Sequence, residues 1–377
     1  MKYIEININC SAERYSGGII IIPTRHRAAL IRDFGKPLTI EEVPTPAPKD
    51  AEVLVKVISA GICHSDIHLW AGDYRPVGVP KTLPWILSHE ITGVVVAKGD
   101  KVPETIKVGD RVLVYPWGFA EEDERTLSGY TQLARKRARL SIDIPGGLQE
   151  YLLVQHYRYI VNIDGLEDPQ AVAPLACAGL TTYNAVKKIK PYVGPDEHVL
   201  VVGLGGLGTY AVQWIRALLP HANLLVADIR DEAIEFVSKL VKIDAAVNPV
   251  KEDPVKTITE ITKGEGVKAV IDLVGLSQTI GTYLKTLTTL GVYAMVGLMS
   301  YEASIPVPHV IRNEIKIFGV YTGSLGDQHE VIKHARKGSI NYVKAISKRF
   351  RFEEKEVNEA IKSVAEAKHL GRVIVVL

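Results

Sequence analysis

The sequence predicts an α/β protein whose first part is a β-barrel-like region with long loops and whose second part is a doubly wound parallel sheet. Two observations predict this class. Between residues 27 and 161, short apolar runs alternate with glycine- and proline-containing turns, which is typical of an all-β region. From about residue 179 onward, apolar runs of strand length alternate with amphipathic helical segments, and this alternation indicates a parallel sheet with helices on both faces.

The β-rich part contains five predicted strands, at residues 28–32, 52–60, 91–97, 111–115 and 151–154. Loops on a rigid β scaffold often carry functional side chains, and Cys63 and His89 both fall in this part. Residues 1–26 are poorly patterned and are assigned no function; a tail, an extra edge strand and translation from an upstream start codon all fit them.

The alternating part is predicted to contain strands at 198–202, 224–227, 245–247, 269–273, 292–297 and 315–319, and helices at 209–219, 231–241, 255–262 and 278–287. A helix at 356–367 and a strand at 372–377 follow. The pattern alone does not establish whether this last pair returns to the first part.

Composition excludes several classes of function. A length of 377 residues is typical of two or three domains, and 47% hydrophobic residues suffice for a sizeable core. The net charge is only +2 and the basic cluster at 135–139 is short, which argues against nucleic-acid binding. No apolar stretch is long enough to cross a membrane, so we expect a cytoplasmic protein without a membrane partner. The three cysteines, Cys10, Cys63 and Cys177, are too few and too scattered for a disulfide framework and fit a reducing compartment.

A glycine-rich loop directly follows the predicted strand 198–202 and directly precedes the predicted helix 209–219. Its residues are Gly203, Leu204, Gly205, Gly206, Leu207 and Gly208. In such loops the first glycine permits the tight turn, the second lets a pyrophosphate approach the backbone, and the third lets the helix pack on the strand. A glycine loop alone could be an incidental turn, but with strand, helix and a later acid in register it predicts dinucleotide binding.

The later acid is Asp228, which stands 20 residues after Gly208 at the end of the next predicted strand. Its carboxylate can accept a hydrogen bond from a ribose 2′-hydroxyl but would repel a 2′-phosphate, by about 4 kcal/mol for charges about 4 Å apart at an effective dielectric near 20. We therefore expect NAD rather than NADP. Arg230 could instead turn toward a phosphate, cap the adenine face, or simply be a solvated residue at a helix start.

Side chains that bind metals are dense in two short segments, Cys63-His64-Ser65-Asp66-Ile67-His68 and Ser88-His89-Glu90. By spacing alone this is a weak zinc signal, because a single buried cysteine or histidine is more often part of a core. A helical HExxH protease site is unlikely because Gly93 stands where the second histidine is required.

In order and spacing, these segments resemble the medium-chain, zinc-dependent alcohol dehydrogenase family in its archaeal and bacterial form. The resemblance runs from about residue 27 to the C-terminus and rests on residues 61–68, 89–102, 108–112, 176–183 and the glycine loop. It implies a GroES-like β-barrel catalytic domain, residues 27–178 and 321–377, and a Rossmann NAD-binding domain, residues 179–320. Residues 1–26 have no counterpart.

The family also implies roles for individual residues. Cys63, His89 and Cys177 would bind a catalytic zinc, with the fourth position open to water or the substrate oxygen. Glu90 would lie behind the metal as an exchangeable ligand, and Asp66 would orient His89.

The implied reaction is a reversible hydride transfer between a zinc-bound alcohol and NAD, giving an aldehyde or ketone. Ser65 would take the alcohol proton and pass it through the cofactor ribose to His68. His64 and Arg372 match contacts to the cofactor pyrophosphate, and Trp70 and Trp117 match positions of the substrate pocket, where two indoles would favour small or planar alcohols.

One departure from the family is the lack of cysteines between Cys63 and Cys177, where many members carry four that bind a second, structural zinc. We therefore expect one zinc per chain. The lobe 119–147 is either held by packing, by ion pairs between residues 121–124 and 135–139, or by subunit contacts, or it is mobile. Ser88 replaces a usual glycine. A homodimer or homotetramer is expected.

Two alternatives remain open at this point. A polyol or amino-alcohol dehydrogenase would belong to the same superfamily, although such enzymes more often have glutamate where Cys177 stands. A zinc-free, quinone-reductase-like or non-catalytic NAD(P)-binding protein would be of a different class, and such relatives lack the set of Cys63, His89 and Cys177.

Overall fold

The structure, a computed structural model, describes residues 3–4 and 22–377. Cys10 and most of the predicted extension, residues 1–26, lie outside the described residues. Within these ranges, no helix is long and apolar enough to span a bilayer.

The first part of the chain is mainly β structure. Its elements are β1 (Tyr3–Ile4), β2 (Ile22–Pro23), β3 (Arg25–Ile31), β4 (Thr39–Pro44), β5 (Val53–Ile62), α1 (His64–Ala71), β6 (Trp85–Ile86), β7 (Glu90–Lys98), β8 (Arg111–Val114), β9 (Trp117–Phe119), α2 (Glu124–Leu127), β10 (Arg137–Arg139), β11 (Tyr151–Val154) and β12 (Ile160–Asn162).

The second part alternates helix and strand. Its elements are α3 (Ala178–Ile189), β13 (His198–Val202), α4 (Gly208–Leu218), β14 (Asn223–Ala227), α5 (Asp231–Ser238), β15 (Ala245–Val247), α6 (Pro254–Ile261), β16 (Val267–Asp272), α7 (Ser277–Leu284), β17 (Leu287–Met295), α8 (Val307–Arg312), β18 (Lys316–Gly319) and α9 (Leu325–Arg336). The chain then forms β19 (Ile346–Arg351), α10 (Glu354–Ala365) and β20 (Arg372–Val376).

The largest sheet of the first part has the strand order β12-β8-β7-β5-β20-β19, and β11 also pairs with β5. Strand β20 lies antiparallel to β5, with Val373 opposite Ile62. The C-terminal segment therefore returns to the first sheet and lies beside the end of β5, where Cys63 joins β5 to α1.

The second sheet has the order β15-β14-β13-β16-β17-β18, and all of its pairs are parallel. Successive residues of β13 serve two different cores. Val199 and Val201 pack in the core that continues into the first sheet, whereas Leu200 and Val202 pack in a separate core on the opposite face. A strand buried on both faces explains its continuous apolar run and confirms the predicted doubly wound sheet.

Some predicted boundaries are wrong. The predicted helix 278–287 ends at Leu284, and Leu287 already begins β17, five residues before the predicted start at 292. Strand β3 begins at Arg25, because Arg25 and His26 continue its antiparallel ladder with β4.

Candidate functional site

Three chain segments converge beside β5 and β20. Cys63 follows the last residue of β5 and is the N-cap of α1, His89 immediately precedes β7, and Cys177 is the N-cap of α3. Gly61 is paired with Glu90 across β5 and β7. A Cβ atom at Gly61 would lie 2.1 Å from a Glu90 carboxylate oxygen, so only glycine lets this carboxylate occupy its place.

The donor atoms of Cys63, His89, Glu90 and Cys177 all lie within 4.8 Å of one another, and all four residues are buried. Both ring nitrogens of His89 and Oε1 of Glu90 lack hydrogen-bond partners among the described residues, and both cysteines are free thiols. Buried polar atoms in folded proteins normally have partners, so this set points to a bound cation. Two sulfurs, one imidazole and a nearby carboxylate are a donor set that zinc favours, so the residues fit the metal.

Asp66 connects the two ligand segments from a fully buried position. Its carboxylate accepts hydrogen bonds from the backbone N–H of Cys63 at 2.9 Å and of Ser88 at 3.0 Å, and from the Ser141 hydroxyl at 3.1 Å. Nδ1 of His89 lies 3.5 Å from this carboxylate, near enough for charge attraction but outside hydrogen-bond geometry. Asp66 therefore positions the backbone on both sides of the cluster.

Ser88 shows how the chain tolerates a side chain where the family usually has glycine. Its φ of 72° lies in the left-handed region that favours glycine. The Ser88 hydroxyl donates a 2.8 Å hydrogen bond to the Gly61 carbonyl, so the added atom ties β5 to the His89 segment. This bond offsets part of the backbone strain.

The two thiols are electrostatically unequal. A hydrogen bond from the Cys177 thiol, opposed by burial and assisted by His89, lowers the pKa of Cys63 well below its ordinary value. The same bond, reinforced by burial, raises the pKa of Cys177. Burial alone would lower the pKa of His89, but Asp66 and Cys63 raise it well above its ordinary value. Without metal, the cluster therefore holds protons that a cation must displace on binding.

Arg372, the first residue of β20, joins this cluster to the glycine loop. Its guanidinium donates to the Glu90 carboxylate, and both side chains are buried. Burial would lower the pKa of Arg372, but the Glu90 carboxylate raises it, so the arginine stays charged. A Cβ atom at Gly206 would lie 2.8 Å from Cδ and Nη1 of Arg372, so the same side chain packs against the loop.

The glycine loop has the form that the sequence predicts. Gly203 has φ 90°, and a Cβ at Gly208 would lie 2.3 Å from the Gly203 carbonyl oxygen, so helix α4 can begin this close to β13 only with glycine there. A Cβ at Gly205 would meet nothing within 4 Å. This open backbone beside the N-terminus of α4, which Leu207 caps, fits a cofactor pyrophosphate.

Asp228 lies at the end of β14 and faces the loop. Its two carboxylate oxygens accept from the backbone N–H of Leu204 at 2.7 Å and of Arg230 at 2.9 Å. The Arg230 side chain lies 3.5 Å from Asp228 and donates to the carbonyls of Ala367 and His369. Arg230 is therefore held against the C-terminal segment.

Helix α1 carries the predicted proton-transfer residues. Ser65 and His68 are half-buried and His64 is exposed, and the rings of His64 and His68 are 5.0 Å apart. Nδ1 of His68 lies 2.7 Å from a carboxylate oxygen of Asp73. Sequence reasoning missed Asp73; the available signal was a glycine followed by an acid at the end of a helix that carries a functional histidine.

The two predicted pocket tryptophans lie in different places. The Trp117 ring is 5.3 Å from the His89 ring and 5.9 Å from the Tyr321 ring, and its indole N–H is buried without a partner among the described residues. The indole of Trp70 donates to the Lys36 carbonyl and lines a cavity of about 470 Å³ beside α10. These contacts bring Trp117, but not Trp70, to the cysteine and histidine cluster.

The lobe 119–147 contains the expected ion pairs. Arg135 pairs with Glu124, and Lys136 pairs with Glu121 at 2.6 Å. Asp123 caps α2 through the backbone N–H groups of Arg125 and Thr126 and also accepts from the backbone N–H of Arg135 at 2.7 Å. The cap links the two sides of the lobe, whereas the exposed pairs contribute little individually.

Comparison with known proteins adds independent evidence. A family described as "Alcohol dehydrogenase GroES-like domain" matches residues 49–165, and one described as "Zinc-binding dehydrogenase" matches residues 206–337. The chain is 36% identical to the NAD-dependent alcohol dehydrogenase of Saccharolobus solfataricus and 35% identical to that of Sulfurisphaera tokodaii, over 93% of this chain and 99% of each relative. The crystal structure of the alcohol dehydrogenase from Aeropyrum pernix superposes with a TM-score of 0.84 at 28% identity, covering 93% of this chain and 100% of that one.

Proposed function

Since the chain belongs to the medium-chain, zinc-dependent alcohol dehydrogenase family and is an NAD-dependent alcohol dehydrogenase, we propose that Cys63, His89 and Cys177 hold its catalytic zinc. Glu90 is proposed as an additional, exchangeable ligand. The observation that carries this assignment is the buried cluster of donor atoms within 4.8 Å of one another. When bound, the zinc ion supplies Lewis-acid polarisation of the substrate oxygen, and NAD supplies the hydride acceptor.

The cofactor is proposed to bind along the glycine loop. The open backbone at Gly205 and the start of α4 receive the pyrophosphate, and Arg372 lies against the loop with a positive charge. Each Asp228 oxygen accepts one backbone N–H, and an ionised carboxylate has further lone pairs for the ribose hydroxyls. His64, exposed at the start of α1, is proposed as a second pyrophosphate contact.

The proton leaves the substrate by way of α1. Ser65 is proposed to accept the alcohol proton, and His68 is proposed to release it to solvent; with NAD bound, its ribose hydroxyls would supply the link between these two side chains. Two features support this route: Ser65 and His68 lie on one short helix that begins at the ligand Cys63, and both side chains are half-buried between the cluster and the surface.

The substrate is proposed to bind against Trp117, whose ring lies beside the ligand His89. A flat indole beside a metal ligand narrows the space for the substrate and so favours small or planar alcohols. Because the contacts of Trp70 lie between α1 and α10, we leave Trp70 out of the proposed pocket.

We propose one domain made of residues 27–178 and 321–377 and a second made of residues 179–320, since β20 lies in the first sheet.

A homo-oligomer, dimer or tetramer, is proposed because Leu298, Tyr301 and Ile311 are strongly exposed near β18, the outermost strand of the second sheet. A single-chain mass in light scattering would contradict it. The free thiols Cys63 and Cys177 fit the proposed cytoplasmic location.

The function is tested by a rate survey over simple alcohols, polyols, amino alcohols and the matching carbonyl compounds with NAD and NADP, on protein whose zinc has been counted. We expect simple alcohols and NAD to give the highest kcat/KM, with activity lost on zinc removal and restored by zinc. Faster turnover of polyols would assign the enzyme to the polyol branch. Full activity without zinc would contradict the proposed metal role.

A further inference from the structure

Asp73 makes a contact to His68 that none of the roles above explains. One of its carboxylate oxygens lies 2.7 Å from Nδ1 of His68, five residues earlier in the chain. About half of the Asp73 side chain is exposed, against about a quarter of the His68 side chain, so the pair lies at the surface end of α1.

The end of α1 fixes this contact through the backbone. Gly72 caps the helix in the left-handed conformation, with φ 84°. The backbone N–H groups of Gly72 and Asp73 both donate to the His68 carbonyl, at 3.1 Å and 2.9 Å. The chain thus folds back over the last turn, and Asp73 is bound to His68 through its main chain as well as its side chain.

The glycine cannot be exchanged freely at this turn. Besides its positive φ, a Cβ atom at Gly72 would lie 3.0 Å from the Phe34 ring and 3.1 Å from the Arg75 side chain. The position of the Asp73 main chain is therefore set by the packing and hydrogen bonds around the helix end, and from there its side chain reaches the His68 ring.

The chemistry of imidazole gives the contact its consequence. In a neutral histidine one ring nitrogen carries the proton and the other accepts one, and a carboxylate at Nδ1 selects the tautomer with the proton on Nδ1. No hydrogen bond to Nε2 of His68 is found among the described residues. Nε2 is therefore the nitrogen left to accept a proton.

The other groups around the ring do not compete with Asp73 for this role. The His64 ring is 5.0 Å away and edge-on, and the Tyr74 ring is 5.5 Å away. Burial raises the pKa of Tyr74 to about 12, so this phenol is neutral. Asp73 is the one carboxylate recorded in contact with the His68 ring within the described ranges.

We propose that Asp73 is a positioning residue for proton release, which holds His68 in the Nδ1–H tautomer and presents Nε2 to the proton leaving the substrate. The proposal rests on the route through Ser65 and His68 proposed above. Nε2 accepts one proton, forming an imidazolium, and gives it to water from the same atom, so His68 returns to the Nδ1–H form. The Asp73 carboxylate beside Nδ1 stabilises the imidazolium.

The first test reads the tautomer directly in the zinc-loaded enzyme. Long-range ¹H–¹⁵N spectra of ¹⁵N-histidine-labelled protein at alkaline pH, with the His68 signals identified from a His68→Gln variant, distinguish protonated from unprotonated ring nitrogens. We expect a protonated Nδ1 and an unprotonated Nε2 in the wild-type enzyme, and loss of this single tautomer in Asp73→Asn. An Nε2–H tautomer in the wild type would overturn the proposal, whether or not any variant is active.

The second test measures the transient rate of hydride transfer and its solvent deuterium isotope effect. We expect Asp73→Asn to slow this step about tenfold and to enlarge the isotope effect, with KM for NAD unchanged, because a positioned base is worth about 10² to 10⁴ in rate and Asp73 acts through one. Asp73→Glu should recover most of the rate. Unchanged rate and isotope effect in Asp73→Asn would overturn the proposal.

Asp50→Asn is the matched control. Asp50 is an exposed aspartate paired with Lys101 at 2.6 Å, and its φ of 46° suits asparagine as well. The Asp50→Asn variant should behave as wild type in both tests.

If the wild-type enzyme oxidises no alcohol at all, the proposed function fails and the catalytic half of this proposal fails with it. Intact alcohol oxidation with the wrong His68 tautomer overturns the Asp73 proposal alone.

Discussion

Arg372 shows how a single residue connects the two halves of the site. Its guanidinium contacts Glu90 at the metal cluster, and its side chain packs on Gly206 of the cofactor loop. The Arg372 guanidinium and the Glu90 carboxylate are both buried. A buried positive charge is tolerated here because the Glu90 carboxylate compensates it. The family resemblance predicts Arg372 as a cofactor contact, but its link to Glu90 appears only when β20 is placed beside β5.

Asp228 is expected to determine which dinucleotide the enzyme accepts. In Asp228→Ala the charge repulsion between the carboxylate and a 2′-phosphate disappears. Because this repulsion is worth about 4 kcal/mol at most, we expect kcat/KM for NADP to rise about tenfold or more relative to that for NAD. Steady-state kinetics with both cofactors measure the ratio.

Asp228→Asn is the control for the backbone contacts to Leu204 and Arg230, because one amide oxygen can still accept a hydrogen bond. If neither variant gains any use of NADP, the role given to Asp228 is wrong.

At the scale of single residues, the structure brings together the four side chains that the sequence predicts as metal ligands. Cys63, His89 and Cys177 could be named because the family resemblance supplied the set, although the spacing alone was weak. Asp73 could not be named, because its position depends on the turn at Gly72. Trp70 and Trp117 look alike in the sequence, and only their neighbours in the structure separate them.

Among the elements, α2 and its surroundings form the lobe 119–147, for which the sequence predicts no second zinc. The α2 helix has only four residues and depends on Asp123, which accepts from three backbone N–H groups on both sides of the lobe. These bonds join main-chain groups of the lobe to one side chain, in a stretch where the sequence has no cysteine between Cys63 and Cys177.

Replacing Asp123 with alanine should therefore loosen the lobe without affecting the catalytic metal. Loss of a cap costs about 1 to 2 kcal/mol, so we expect faster amide hydrogen exchange within residues 119–147 and unchanged zinc content. Asp253→Ala, which removes the analogous cap of α6, is the control and should affect only its own helix. Unchanged exchange in the lobe of Asp123→Ala would show that packing alone holds it.

The elements that sequence patterns missed have physical explanations. Helix α3 is buried on nearly all sides, and its polar residues Thr181, Thr182 and Asn184 are buried as well, so they do not mark a solvent-facing side in the sequence. The sequence pattern ends a helix at residue 287 and leaves 288–291 unassigned, but strand β17 starts at Leu287 and passes through Leu290 in the left-handed conformation, φ 57°. Local pattern cannot reveal such a bend.

For the whole molecule, the strand and helix alternation predicted the parallel sheet, and the glycine-rich turns predicted the β-rich part. What the pattern could not give was the return of the C-terminus, since the pairing of β20 with β5 joins residues more than 300 positions apart. That return places Arg372 beside Glu90 and completes the site. The domain boundaries and the oligomeric state stay predictions.

One catalytic zinc per chain is proposed to be held by ligands from three distant segments, with no second metal site in the lobe. This stoichiometry is measured by atomic emission on the purified chain, on Cys63→Ser and on Cys177→Ser. We expect about one zinc per wild-type chain and nearly none in either variant. About two zinc ions per chain, or full zinc content in both variants, would contradict it.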